Sequence, residues 1–255
     1  MAEPFGAQPE KPKADGVADG INRLLQNLIL KCAKGDGIRD YFHVGVIGYG
    51  GRVTWALGGT LAGQKLVPIS VIAMNPLKVE QRTRKVDDGA GGLVDQKFKF
   101  PVWFEPVAGG RTPMCQAIKE ATTVLKEFIS QFPDAFPPLI INISDGKATD
   151  GNPELPTIEL RNLATSDGNV LMFNAHLSSQ AARPIDFPST ESELPDPYAL
   201  VLFKMSSILP PKLRDAAQAE GFRVNDNTRG FVFNADLVSV IRFLDIGTRA
   251  AQTIR

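Results

Sequence analysis

Residues 138–151, PLIINISDGKATDG, decide how this chain is read. Leu139, Ile140, Ile141 and Ile143 make a nearly continuous apolar run, the pattern of a strand covered on both faces. The run stops at Asp145-Gly146, a turn signal, and Asp150 follows shortly after. Ahead of it, GGRTPMCQAIKEATTVLKEFISQF (109–132) predicts a helix with Thr112 at the N-cap and Pro113 at the first helical position. Behind it come a helix-like segment, Glu154 to Thr165, and a second apolar run, NVLMFNAHLS (169–178). Alternating helices and strands imply an α/β fold with a mostly parallel sheet.

Further out, ADGVADGINRLLQNLILKCAKG (14–35) places Val17, Ile21, Leu24, Leu25, Leu28 and Cys32 on one helical face, with Gly35 as a stop. YFHVGVIGYGG (41–51) and RVTWAL (52–57) predict a hairpin about Gly50-Gly51. Residues 57–108 read as a long loop-rich excursion with one or two short β pieces. Within it, Lys78 to Lys85 reads as a solvated loop or a recognition rim, and Trp103 and Phe104 as core or as exposed anchors. Toward the end, PYALVLFKMSSILP (197–210) and PPKLRDAAQAEG (210–221) predict two short helices. RGFVFNA (229–235) predicts a last strand, and DLVSVIRFLDIGTRA (236–250) a closing helix. The polar, Pro-rich residues 1–13 are expected to be flexible, and 1–255 to form one domain.

Composition excludes several classes. The 255 residues carry Lys+Arg 28 against Asp+Glu 28, which argues against a general affinity for nucleic acid or anionic membranes. No apolar stretch approaches the roughly 20 residues of a membrane-spanning helix, and no secretory signal opens the sequence. Cys32 and Cys115 are too few for a disulfide framework and fall in helical segments, where small buried hydrophobes are expected. The cytoplasm is the expected compartment.

Ligands of open α/β sheets sit beyond the carboxyl ends of the strands. Asp145 stands at such an end, and Thr112 joins it if its helix packs beside that strand. A hydroxyl and a carboxylate are hard oxygen donors suited to Mg²⁺. The alternative is that Thr112 only caps its helix and Asp145 only starts a turn. GYGGRV lacks the third glycine of a dinucleotide loop, since Val53 stands there. DGKATDG puts Lys147 at a calcium-ligand position and lacks the second aspartate of aspartyl-phosphate enzymes. His43 and His176 lie in strand-like runs and read as core or rim residues.

The order and wording of these segments resemble a von Willebrand factor A domain, especially its compact intracellular prokaryotic versions. The resemblance runs over the first helix with DYFHVGVIGYGG, then FPVWFEPVAGGRTPM, PPLIINISDGKATDG, GNVLMFNAHLS, MSSILP and NADLVSVIRFLDIG. It implies a metal-ion-dependent adhesion site in which Thr112 and Asp145 are ligands of Mg²⁺ or another divalent cation. Asp150 would be an outer or loop-shaping carboxylate, with Gly109, Gly110 and Gly146 allowing close approach. The family's DxSxS motif has no counterpart here. The resemblance therefore implies a sequence that starts just after that motif, or a degenerate domain. Either way the family's first strand, between HVGVIGY and LIINIS, is not expected, which leaves two apolar inner edges. The implied function is a non-catalytic protein-interaction module with a remnant metal site. Alternatives are a metal-assisted hydrolase using Asp145 and Asp150, and a metal-independent scaffold.

Overall fold

The computed structural model describes all residues except 1–3, 6, 7, 88, 90, 178–183, 236 and 250–255. Helix α1 (Lys13–Cys32) buries the apolar stripe of the first segment, including Val17, Leu25, Leu28 and Cys32. Strands β1 (His43–Val44), β2 (Ile47–Tyr49), β3 (Val53–Trp55) and β4 (Val67–Pro68) follow, then α2 (Ile69–Met74). β2 and β3 form the expected hairpin, and β1 pairs with β4. The second half runs through α3 (Met114–Gln131), β7 (Leu139–Ser144), α4 (Glu154–Arg161), β8 (Leu171–Leu177) and β9 (Ile185–Asp186). It closes with α5 (Pro197–Met205), α6 (Pro211–Ala219), β10 (Phe231–Ala235) and α7 (Leu237–Arg249).

The central sheet has four strands in the order β7-β8-β10-β9. β7, β8 and β10 are parallel, joined by helical crossovers, and β9 is antiparallel at the far edge. The chain is therefore mixed α/β, with seven α-helices and several two-stranded ribbons among the described residues. Helices cover both faces of the sheet. Phe173, Ala175 and Leu177 of β8 point into a core shared with α1, α6 and α7, where Val17, Leu213 and Phe243 are buried. Met172 faces the other way, into a core with Met114 and Ile118 of α3, Leu160 of α4 and Leu202 of α5.

Residues 57–108 are more regular than the loop-rich reading expects. They carry β5 (Lys78–Asp87) and β6 (Leu93–Val102), antiparallel in an unbroken ten-residue register. Lys78 to Lys85 is thus strand, not loop. The first strand, KVEQRTRKVD, has little apolar alternation to read, and several of the arm's contacts are charged. Lys85 pairs with Asp95 at 2.8 Å, and the Arg82 guanidinium lies 3.8 Å from the Phe100 ring centre. Ladder hydrogen bonds and such pairs hold a ribbon that buries little beyond Phe100 and Val102. Trp103 and Phe104, just past it, are buried. The Trp103 indole donates to the Ile72 carbonyl at 2.6 Å, and its amide donates to Asn22 Oδ1 at 2.9 Å.

Part of the leader read as flexible forms a ribbon, Pro4–Phe5 against Gln8–Pro12, with residues 1–3, 6 and 7 outside the described residues. Among the described residues, no helix is long and apolar enough to cross a membrane.

Candidate functional site

α3 runs antiparallel to β7, so the loop before the helix meets the loop after the strand and the two sequence-marked loops come together. Asp145 follows the last residue of β7, and Thr112 lies two residues before α3. A Cβ placed on Gly146 would sit 3.8 Å from Thr112 Oγ1, so the two loops touch. Backbone contacts lock them. The Thr112 amide donates to Thr149 Oγ1 at 3.0 Å, and its carbonyl accepts from the Thr149 amide at 2.9 Å.

Thr112 is not the N-cap it was expected to be. Pro113 holds that position, and no side chain of its own caps the helix. The capping acceptor comes from across the loop. Asp150 Oδ1 and Oδ2 accept the amides of Cys115 (3.1 Å) and Gln116 (2.9 Å). A carboxylate at a helix N-terminus satisfies orphan donors and meets the positive end of the helix dipole. Burial works to raise the Asp150 pKa, but these amides outweigh it and hold the carboxyl below its usual range. Burial, with the Asp150 carboxylate beside it, pushes the Cys115 thiol up to about 11. Asp150 is therefore a loop-shaping residue with both oxygens engaged.

Gly109 and Gly110 pack against the β2–β3 turn. Both have positive φ, and a Cβ on Gly110 would lie 2.6 Å from the Gly51 backbone. A Cβ on Gly50 would lie 2.8 Å from the Gly109 carbonyl oxygen. The glycines let the 109–112 loop stack backbone-on-backbone against the β2–β3 turn.

Beneath these loops runs a polar chain that the sequence reading did not identify. The Tyr49 hydroxyl donates to Asn142 Oδ1 and lies 3.2 Å from the Ile143 carbonyl. Asn142 Nδ2 donates to Asn174 Oδ1 at 2.8 Å, and Asn174 Nδ2 to Ser206 Oγ at 2.9 Å. The Tyr198 hydroxyl donates to the Gly146 carbonyl and so pins the Asp145 loop from the α5 side. Burial raises the pKa of both phenols, Tyr49 and Tyr198. The signal in the sequence is an asparagine in each of two apolar strands, at positions that face each other in the β7–β8 register. Buried amides need partners, so they pair with one another. His176 is also buried, stacked on Phe233 at 4.3 Å, and burial lowers its pKa to about 4. His43 lies away from the site, against Phe128 and Phe132.

Below Thr112 and Asp145 the molecule opens into a cleft of about 1400 Å³ between β2 and β7. Leu24 and Leu25 of α1 line one side of it, and Ile118 and Leu125 of α3 the other. Among the described residues, β7 pairs only with β8 and β2 only with β3.

The Thr112 hydroxyl and the Asp145 carboxylate are donors of the hard type that Mg²⁺ takes, but octahedral Mg²⁺ needs several more. Asp150 is committed to α3, and no group of three or more His, Cys, Asp or Glu gathers among the described residues. The residues present do not by themselves fit a cation site. Comparison of the chain with protein-family models, with curated proteins and with solved structures finds no match in any of the three.

Proposed function

We propose that the chain is a non-catalytic protein-recognition module of the von Willebrand factor A kind. It meets its protein partner at the carboxyl end of the parallel strands, with Thr112 and Asp145 as the polar contacts. The observation that carries this reading is their placement. A half-buried hydroxyl and the residue just past the end of a parallel strand are presented together on two loops clamped by Thr149 and Asp150. Such rigid loops over a rigid sheet suit recognition, because little ordering entropy is left to lose on binding.

A hydrolase built on Asp145 and Asp150 is the second reading, and the chemistry of Asp150 weighs against it. A carboxylate held ionised by two amides is a poor general acid and a weak base, and both its oxygens are engaged at the start of α3. His176, buried with Phe233 stacked on it and Tyr198 against it edge-to-face, is no better placed as a base.

Quantitative pull-down with the purified chain tests the proposal, with chelator and without. Thr112→Ala and Asp145→Ala are each expected to reduce capture of a specific partner at least tenfold. Unchanged capture by both variants, each shown folded by circular dichroism, overturns the site. Turnover of a phosphoester panel that Asp145→Asn abolishes replaces the proposal with the hydrolase. Magnesium titration calorimetry decides the cation: micromolar affinity lost in both alanine variants would mean that the chain completes a metal site.

A further inference from the structure

Three cations from separate elements meet at the amino end of the parallel strands, opposite the end that carries Thr112 and Asp145. Arg161 is the last residue of α4, Lys204 lies in the last turn of α5, and Arg229 stands two residues before β10. Contacts to the end of α5 gather them. Arg161 Nη1 donates to the Lys204 carbonyl at 3.3 Å, and Arg229 Nη1 donates to the Ser206 carbonyl at 2.5 Å. The Ser207 amide bonds to the Met172 carbonyl, near the start of β8. We propose that Arg161, Lys204 and Arg229 form a second binding site, one that takes a phosphate dianion, free or esterified.

Charge balance is the first argument. A basic side chain often caps the last carbonyls of a helix, whose C-terminus carries roughly half a negative charge. α4 and α5 both end here, so their carbonyls offset about one of the three positive charges and leave about two. Among the described residues none of the three cations makes an ion pair. Glu191 acts on Arg229 from a distance without pairing. Both guanidiniums are half-buried, and burial lowers the pKa of each, with Arg229 adding to the shift at Arg161. Like charges held close and partly dry call for a counter-ion. A phosphate group brings about −1.5 to −2 at neutral pH, which fits the excess better than the single charge of a carboxylate.

Donor geometry is the second argument. Each guanidinium spends Nη1 on a carbonyl, and its Nε–Nη2 edge makes no other protein hydrogen bond among the described residues. That edge is the fork that grips an oxyanion with two parallel hydrogen bonds. The buried Phe203 ring holds the Arg229 fork in place, its centre 4.9 Å from Cζ. Two arginine forks and one flexible ammonium match an anion with three terminal oxygens. Ile158, one turn before Arg161, and Ile208, across a β-bridge from Arg229, are both exposed. A peptide carrying the phosphate would meet apolar surface there as well.

Calorimetry on the purified chain at constant ionic strength tests the site with four probes. They are inorganic phosphate, acetate, a peptide with phosphoserine between two leucines, and the same peptide unphosphorylated. Phosphate is expected to bind saturably and at least tenfold more tightly than acetate, and the phosphopeptide at least tenfold more tightly than its unphosphorylated form. A phosphopeptide tenfold tighter than inorganic phosphate assigns the group to a partner's side chain, and equal affinity assigns it to the free ion. Arg161→Gln and Arg229→Gln are each expected to weaken phosphate binding at least tenfold, whereas Arg84→Gln on the β5–β6 arm leaves it within twofold. Arg229→Lys, which keeps the charge without the fork, is expected to fall between. No saturable phosphate binding by the unaltered chain, acetate binding equally well, or equal binding of the two peptides overturns the proposal whatever the variants do. An equal loss in Arg84→Gln means diffuse attraction and also overturns it.

Discussion

β7 and β8 are adjacent parallel strands of similar composition, LIINIS and LMFNAHL, and they are buried in opposite senses. Every residue of β8 except Leu171 is buried, including Asn174 and His176. In β7 only the polar Asn142 and Ser144 are buried, while Leu139, Ile140, Ile141 and Ile143 stay half exposed. The difference does not come from the residues. β8 has a strand on each side, whereas β7 has β8 on one side and the cleft on the other. Burial of a strand is decided by its neighbours as much as by its composition.

The largest expected effect tests that contrast directly. Phe173→Ala on β8 should cost about 3–5 kcal/mol, since it empties a fully packed site beside Phe243. Ile141→Ala on β7 should cost about 1 kcal/mol, because a half-exposed side chain has less transfer free energy to lose. Urea unfolding of both variants measures the pair, and equal losses would break the comparison.

His176 sharpens it by pH. Its folded pKa is lowered to about 4 by burial, with Lys13 adding to the shift and Asp196 opposing it. In the unfolded chain it titrates near 6.5, so the unfolded state binds the proton first as pH falls. The stability from a neutral buried His176 is present above that value and is lost as pH drops toward 4. Between pH 7 and pH 5 the loss should be about 2 kcal/mol, and His176→Gln should remove that dependence. β7 holds no titratable side chain and should contribute nothing of the kind.

Two smaller effects concern the loops at the ends of these strands. Asp150→Ala should cost about 1 kcal/mol through the lost cap on α3, with Asp150→Asn recovering part of it. Thermal unfolding measures both. Tyr49→Phe removes the hydroxyl that bridges the cleft and should cost about 1 kcal/mol or less. The same change should speed exchange at the Ile143 amide, while the amides of β8 remain as they are.

Much of the regular structure was legible because local patterns and packing agreed. α1, α3, the β2–β3 hairpin, β7, β8 and β10 follow from apolar spacing and from Gly and Pro signals. The β5–β6 arm was not, because β5, KVEQRTRKVD, carries no apolar period and its ten-residue register rests on backbone pairing and ionic contacts. Thr112 and Asp145 were legible as neighbours on the condition that α3 packs beside β7, with Asp150 a few residues on. Their roles were not. Asp150 lies far along the chain from the amides of Cys115 and Gln116, and no spacing rule connects them.

The sequence alone determined the α/β class, the apolar strands and the polar residues gathered at their carboxyl ends, because side-chain periodicity is a local property. Tertiary structure alone decided which strand edges find partners, which carboxylate caps α3 and which asparagines pair beneath the site. Those outcomes depend on segments distant in sequence competing for the same backbone donors and acceptors. Two strands nearly alike in residues can therefore end as a sealed core and as one wall of an open cleft.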